Sequence, residues 1–395
     1  MRKTKYLLVG GGSGGHIMPL IPVAEQIKSK DTESVVAFIG QRKDRFSKML
    51  NSSTAIDEHY SVYAGKFRRY HDQKLLAKIF DIKTLFFNIR DFFLFIIGIL
   101  QSLIILMKIK PQVIFSKGGY VCAPVGIAGH ILRIPIITHD SDAMVSLAHR
   151  IIAKKAKLHL TAWPKELYTK YDQNKVFQVG IPVRKEYKQS YAKESLKKEL
   201  GYDNTDKIVL IMGGGLGSKY INDSIIQIAK SLFYKIPKLK IINITGHKLY
   251  QDTVIRYSEA LGEQAKQVRL IDFTEELYKF VVISDIVVTR AGATNLAELA
   301  SLSKACIIIP SPFLAGGHQL ENAKYLESRD AGIIVSESEN KQQLQDSISD
   351  LLSDEKLINT LGINLNSAFL KNAESEIAEY LINEARNLDN INRKS

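Results

Sequence analysis

The sequence predicts an α/β protein of two doubly wound domains of similar size, and three observations carry that prediction. The chain has 395 residues, more than one hydrophobic core usually serves. It opens with a strand (Tyr6–Val9), a glycine loop (Gly10–Gly15) and a helix (Ile17–Lys28), and this grammar returns at Ile208–Met212, Gly213–Ser218 and Tyr220–Phe233. In both halves short β-branched runs alternate with helical patterns, which implies parallel sheets with crossover helices.

Taken in order, the first half reads as strands at Tyr6–Val9, Val35–Ile39, Val113–Phe115 and Ile134–Thr138, with Pro19 tolerated in the first turn of the opening helix. The second half reads as strands at Ile208–Met212, Lys240–Ile244, Ile286–Thr289 and Cys306–Ile309. Between them GIPVR, Gly180–Arg184, supplies a Gly and a Pro before a charged helix at Tyr191–Leu200. The boundary is placed there, giving an N-terminal domain over 1–184 and a C-terminal domain over 185–365. A last helix is expected at Ala368–Arg386, with a frayed tail at Asn387–Ser395, and the segment from about 366 to 395 is expected to pack back on the first domain.

Hydrophobic residues make up 45% and charged residues 24%, the proportions of well-packed globules. A net charge of +13 favours an anionic partner, whether nucleic acid, a phosphorylated substrate or an anionic membrane surface. Cys122 and Cys306, each within an apolar run, read as buried thiols in a reducing compartment and exclude a disulfide framework. Tyr6–Val9 is too short for a signal core, so a cytoplasmic protein is expected.

Phe92–Met107 is the one run approaching a membrane span, but Gln101 and Ser102 interrupt it and it falls short of the roughly 20 residues required. It is expected to be a buried core helix. Upstream, Lys66, Arg68, Arg69, Lys74, Lys78, Lys83 and Arg90 interleave with Leu75, Leu76, Ile79, Phe80, Leu85, Phe86 and Phe87, an interfacial pattern. A solvated helix over a core would show the same alternation.

Glycines at a strand-to-helix turn let backbone N–H groups approach an anion, and the helix N-terminus adds partial positive charge. By itself GGGSGG is shared by dinucleotide-binding folds, other nucleotide enzymes and tight turns. After Val35–Ile39 come Gly40, Gln41 and Arg42, with no acidic residue for an adenosine ribose. Arg42 would suit a 2′-phosphate, so the dehydrogenase reading stays open.

His16 stands where the first loop becomes helix, a position suited to a general base or to a residue bracing the loop. In the second half, Gly292 opens a helix that carries Asn295 and Glu298 on one face, where a carboxylate would accept two ribose hydroxyls. The other reading of Glu298 is a surface charge on an apolar helix. Next comes PSPFLAGGHQLENA, Pro310–Ala323, which places His318, Gln319 and Asn322 at a helix start, donors suited to a sugar.

Four segments in order, GGGSGGHIMP, the SKGGYVCAP to ITHDSD stretch, GIPVR, and RAGATNLAE with GGHQLENA, resemble the MurG transferases over nearly the whole chain. This membrane-associated family adds N-acetylglucosamine from UDP-N-acetylglucosamine to undecaprenyl-diphosphate-muramyl-pentapeptide in peptidoglycan synthesis. The resemblance implies a GT-B fold, two Rossmann-like domains with parallel sheets facing across a cleft. It also implies a glycosyltransferase serving cell-wall growth, shape and division, peripheral on the cytoplasmic face of the membrane. The implied partners are UDP-N-acetylglucosamine, a polyprenyl-diphosphate-linked acceptor, an anionic membrane surface and other cell-wall synthesis proteins, with no nucleic acid and no cofactor.

Carried over by residue, the resemblance places Gly14, Gly15, the catalytic His16 and Tyr120 on the acceptor side, and Ser13, Gly14 and Gly15 near the donor as well. It assigns Asp142 to the donor sugar, Arg184 to its diphosphate, Gly215 to the second phosphate loop, and Phe273 and Thr274 to the uracil. Glu298 becomes the ribose ligand, Ala293 a backbone contact, and His318 and Gln319 the readers of the sugar hydroxyls.

This chain departs from the family in having His139-Asp140-Ser141-Asp142 for His-Glu-Gln-Asn, Gly215-Leu216 for Ser-Gln, and RAGAT for Arg-Ser-Gly-Ala-Leu. An acceptor-only carboxylate at Asp142 alters what the sugar can be offered. Asp140-Ser141-Asp142 also fits a loose metal-binding spacing, but phosphate loops and Arg184 can offset a leaving diphosphate unaided, so no metal is expected. Alternatives are a GT-B transferase acting on diacylglycerol or another polyprenyl diphosphate, a UDP-sugar 2-epimerase, which needs no lipid, and a non-catalytic nucleotide-sugar-binding protein.

Overall fold

The computed structural model describes residues 3–42, 44, 50, 53–65, 82–313, 316–338 and 341–394. Two units divide the chain, Met1–Arg184 with Leu370–Ser395, and Lys185–Phe369.

The first unit runs β1 (Lys5–Gly10), α1 (Gly14–Ile17), α2 (Leu20–Lys30), β2 (Val35–Gln41), β3 (Glu58–Val62), α3 (Ile82–Ile109), β4 (Val113–Gly118), α4 (Cys122–Ile131), β5 (Ile136–Asp140), α5 (Leu147–Ile152), β6 (Leu158–Thr161) and β7 (Val176–Gln178). Its sheet is parallel throughout, in the order β3-β2-β1-β4-β5-β6-β7. Both faces are covered, so the strands are apolar on alternate residues in both directions. Tyr6 and Leu8 enter one core with Leu20, Val23 and Ile27 of α2, while Leu7 and Val9 enter another with Leu106, Val121 and Val125.

The second unit runs α6 (Lys193–Glu199), β8 (Lys207–Met212), α7 (Lys219–Lys235), β9 (Leu239–Ile244), α8 (Tyr250–Leu261), β10 (Val268–Ile271), α9 (Leu277–Ile283), β11 (Ile286–Thr289), α10 (Ala293–Ser301), β12 (Ala305–Ile308), α11 (His318–Glu327), β13 (Ile333–Ile334), α12 (Lys341–Ser353) and α13 (Glu355–Ser367). Its parallel sheet is ordered β10-β9-β8-β11-β12-β13. The last helix, α14 (Ala373–Lys394), places Ile377, Leu381 and Ala385 in the first unit's core beside Tyr6 and Leu8.

In each sheet the strand order reverses beside the strand that precedes a glycine loop, β1 in the first and β8 in the second. Such a switch point opens a crevice at the strands' carboxyl ends, where ligands of doubly wound sheets bind.

Two sequence expectations are corrected. The opening helix is split: Pro19, lacking an N–H, caps α2 while α1 closes with Met18 N–H bonded to Gly14 O at 2.8 Å. More consequentially, Phe92–Met107 is not a buried core helix but part of the 28-residue α3, whose outer face is exposed. Phe86, Ile89, Phe93, Leu100, Ile104 and Met107 form that face at helical spacing. Asp91, Gly98, Ser102 and Leu106 face inward.

Of the two polar residues that seemed to interrupt a span, Gln101 seats the helix, its Oε1 accepting from Tyr63 N–H at 2.9 Å, while Ser102 Oγ is satisfied within the helix by donating to Gly98 O at 2.6 Å.

Candidate active site

In the first unit, the loops after β1, β4 and β5 meet at the switch point. His16, carried on α1, lies against Gly118, where a Cβ would come within 3.1 Å of His16 Nε2. Gly119, at φ +91°, brings the β4 loop so close to the β1 loop that a Cβ would lie 2.0 Å from Gly11 O. Tyr120 closes the cluster, its ring placed where a Cβ on Gly12 would come within 3.3 Å of it.

His16 Nδ1 lies 3.1 Å from both Gly11 O and Ser13 Oγ. A carbonyl can only accept, so Nδ1 carries the proton and Nε2 keeps its lone pair at the Gly118 turn. Burial, followed by the charge of Lys117, lowers the imidazole pKa to about 4, with Asp142 opposing. His16 is therefore neutral at physiological pH. Gly14 and Gly15, half-buried, form the first turn of α1 beside it.

Beneath this cluster lies a buried polar network that the sequence reading missed. Asp140 Oδ1 pairs with His149 Nδ1 at 2.9 Å and accepts from Ser146 N–H at 3.1 Å, while its Oδ2 accepts from Tyr171 OH. His149 Nε2 reaches Ser116 Oγ at 3.0 Å. Coulombic attraction and hydrogen bonding from His149 hold the Asp140 carboxyl well below its usual range despite burial, and Asp140 in turn raises His149 to about 9 against burial.

Both Asp140 oxygens are thus committed, and the Asp140-Ser141-Asp142 spacing does not present a pair of carboxylates to a metal. The same network clamps the loop that bears Asp142: Trp163 Nε1 donates to Ser141 O at 2.7 Å and Tyr168 OH to Asp142 O at 2.8 Å. Asp142 and Arg184 are both half-buried.

In the second unit Gly213–Ser218 joins β8 to α7. Gly214 and Gly217 adopt positive φ, and Ser218 caps α7, its Oγ accepting from Ile221 N–H at 3.3 Å. Gly215 is exposed at the tip of the turn. Arg290, also missed from sequence, ties this loop to the end of β11, donating to Ser218 Oγ at 2.7 Å and Ile309 O at 3.1 Å and pairing with half-buried Glu337.

Ala293 is the buried first residue of α10 and Glu298 is buried in its interior. Gln319, at the start of α11, uses its Oε1 to accept from Ser311 N–H at 2.9 Å, which leaves its amide N–H₂ as the group to offer a ligand. His318, the first residue of that helix, is half-buried.

Asn322, expected to face a sugar, instead donates to Ala291 O at 2.9 Å in full burial, and Asn295 donates to Thr289 Oγ1 at 2.7 Å. Both brace the RAGAT turn. After β10, Phe273 is exposed and stacks on His247 with centroids 5.9 Å apart, and Thr274 Oγ1 accepts from Glu276 N–H at 3.1 Å.

Two parallel-sheet domains, each with a glycine loop at its switch point, define a two-domain protein of the GT-B fold class. Residues 6–161 match the glycosyltransferase family 28 N-terminal domain and residues 208–377 the family 28 C-terminal domain. The chain is 33% identical over 350 residues, 88% of its length and 89% of the relative's, to the UDP-N-acetylglucosamine–N-acetylmuramyl-(pentapeptide) pyrophosphoryl-undecaprenol N-acetylglucosamine transferase of Caldicellulosiruptor saccharolyticus. It belongs to the MurG family.

Among solved structures it is similar to Acinetobacter baumannii MurG, with a TM-score of 0.69 at 19% identity, covering 97% of this chain and 100% of that one. It is also similar to UDP-GlcNAc 2-epimerase from Neisseria meningitidis bound to UDP-GlcNAc, with a TM-score of 0.66 at 15% identity over 96% and 100%. Likeness at these identities is a likeness of fold.

Proposed function

We propose that this chain transfers N-acetylglucosamine from UDP-N-acetylglucosamine to the C4 hydroxyl of the muramyl residue of undecaprenyl-diphosphate-muramyl-pentapeptide. The observation that carries the reading is His16, fixed as the Nδ1–H tautomer with Nε2 left at the Gly118 turn. The acceptor hydroxyl gives its proton to Nε2, its oxygen bonds to the anomeric carbon, and the bond from that carbon to the UDP oxygen breaks, inverting the centre. UDP leaves with its charge offset by Arg184, the backbone of Gly213–Ser218 and the N-terminus of α7. Glu298 holds the ribose, Phe273 and Thr274 flank the uracil, Ala293 meets the sugar through its backbone, and Asp142, His318 and Gln319 read its hydroxyls.

A UDP-release screen tests this, crossing UDP-N-acetylglucosamine, UDP-glucose and UDP-N-acetylgalactosamine with the muramyl-pentapeptide lipid and with diacylglycerol. Release with UDP-N-acetylglucosamine and the muramyl lipid is the expected result. Release with diacylglycerol alone, or epimerised donor with no acceptor, overturns it.

We further infer that the enzyme docks peripherally on the cytoplasmic face of an anionic membrane through α3. Phe86–Ile109 is long and apolar enough to cross a bilayer by length and composition. Its inner face, however, is seated on the domain through Gln101, Leu106 and Ile109, which supports a helix lying in the interface. Arg90 is exposed near its start. The basic positions Lys66, Arg68, Arg69, Lys74 and Lys78, and the side chain of Lys83, lie outside the described residues.

Replacing Phe93, Ile97 and Leu100 together with Ser should weaken binding to anionic vesicles about 100-fold, at about 1 kcal/mol for each partly inserted side chain. Vesicle cosedimentation at physiological salt reads this, and equal binding by the triple variant would sink the docking face.

A further inference from the structure

Lys117 is a lysine at the end of a buried strand, 1% exposed. Along β1 and β4 the register passes from Val9 opposite Ser116 to Gly10 opposite Gly118, so Lys117 is the extra residue of a bulge and has no partner on β1. Bulges of this kind re-aim a side chain and recur next to active sites. Here the bulge directs Lys117 Nζ to donate to Ser141 Oγ, in the loop that carries Asp142. The next residue, Gly118, is the one that His16 covers.

The charged and titratable groups around this ammonium come from several neighbouring elements: His16 on α1, Cys122 on α4, His139 and Asp140 on β5, and Asp142 in the loop that follows, with His149 on α5 reaching it through Asp140. Asp140 is already spent on His149 and Tyr171. Asp142 is the other carboxylate near the ammonium. It is also where the family's usual Asn is replaced, so the departure noted in the sequence adds a negative charge beside a buried positive one.

The geometry points to Lys117 as a positioning residue of the transfer site: anchored on Ser141 Oγ, it ties the loop that bears Asp142 to the turn that His16 covers and sets its ammonium beside the His16 imidazole. Burial lowers the Lys117 pKa to about 8, with Asp142 and Asp140 opposing, so the charge is present at neutral pH and is lost on the alkaline side. The assignment rests on His16 being the base.

The test is histidine-selective NMR of the full chain, following the His16 ring from pH 3.5 to 8 in the wild type, Lys117→Met and Lys117→Arg, with the signal assigned from a His16→Gln sample. Removing the charge should raise the His16 midpoint by about one pH unit, the effect of a unit charge a few ångströms away. Lys117→Arg, which keeps the charge, should leave the midpoint in place.

An unmoved midpoint in Lys117→Met overturns the proposal, and so does an equal shift in Lys117→Arg. Should thermal melting show that Lys117→Met does not fold, Ser141→Ala, which releases the ammonium, is read in the same way, and an unmoved midpoint there overturns it. The midpoint needs no turnover, so this result is separate from whether His16→Ala loses activity.

Discussion

His16→Ala is expected to lower kcat by about 10²- to 10⁴-fold, the usual contribution of a positioned general base, and to leave UDP-sugar affinity within about twofold. The separation follows from the placement of His16 on the first unit's loop, while the groups proposed to hold the nucleotide, Glu298, Phe273 and Thr274, belong to the second unit. Steady-state UDP release gives kcat and calorimetry gives the donor affinity.

Because Nδ1 also braces the loop through Gly11 O, the alanine variant alone conflates base and brace. His16→Asn resolves them, since an Asn amide can donate to the same carbonyl but presents no proton acceptor at the Nε2 position. A base predicts that Asn is as inactive as Ala, whereas a brace predicts recovery. With the imidazole at about 4 in the free protein, the base is competent above that pH, so the acid limb of kcat/KM should fall near 4. An anionic acceptor raises the imidazole when bound, and the acid limb of kcat should lie at higher pH.

Much of this was legible in the sequence because it depends on local chemistry. Paired strand–glycine–helix units and β-branched alternation are short-range signals, and Ile286–Thr289 was read to the residue. Glu58–Val62 escaped because an edge strand with one polar face, EHYSV, carries no apolar run. The exposure of α3 escaped for a different reason: an apolar run states that water is unfavourable, not whether protein or lipid replaces it. At the site, His16 and the glycine loops were readable from motif and position. Lys117, His149 and Arg290 were not, since each acts through partners at |i−j| of 24, 9 and 72 that only the fold brings together.

The second large effect concerns that fold-made network. His149→Ala should destabilise the first domain by about 3–5 kcal/mol, because it strands a buried carboxylate with Tyr171 and Ser146 as its remaining partners. Trp163, the sole tryptophan, donates to Ser141 O in the same loop, so its fluorescence in a urea titration reports the loss directly. The pH dependence fixes the mechanism. His149 is raised in the folded state to about 9, so its contribution is complete below its unfolded value of about 6.5 and is lost as pH rises through 9.

Asp140 is depressed, so its contribution is complete above its unfolded value of about 4 and is lost only in stronger acid. Both are therefore at full strength between about pH 4 and 6.5, and the gap between wild type and His149→Ala should be widest at pH 6 and narrow markedly by pH 9.5. A gap that stays constant across that range would mean that the pair holds no charge. The clamp on the loop that presents Asp142 and Ser141 would then be a neutral hydrogen bond, and the positive charge placed near His16 would come from Lys117 alone.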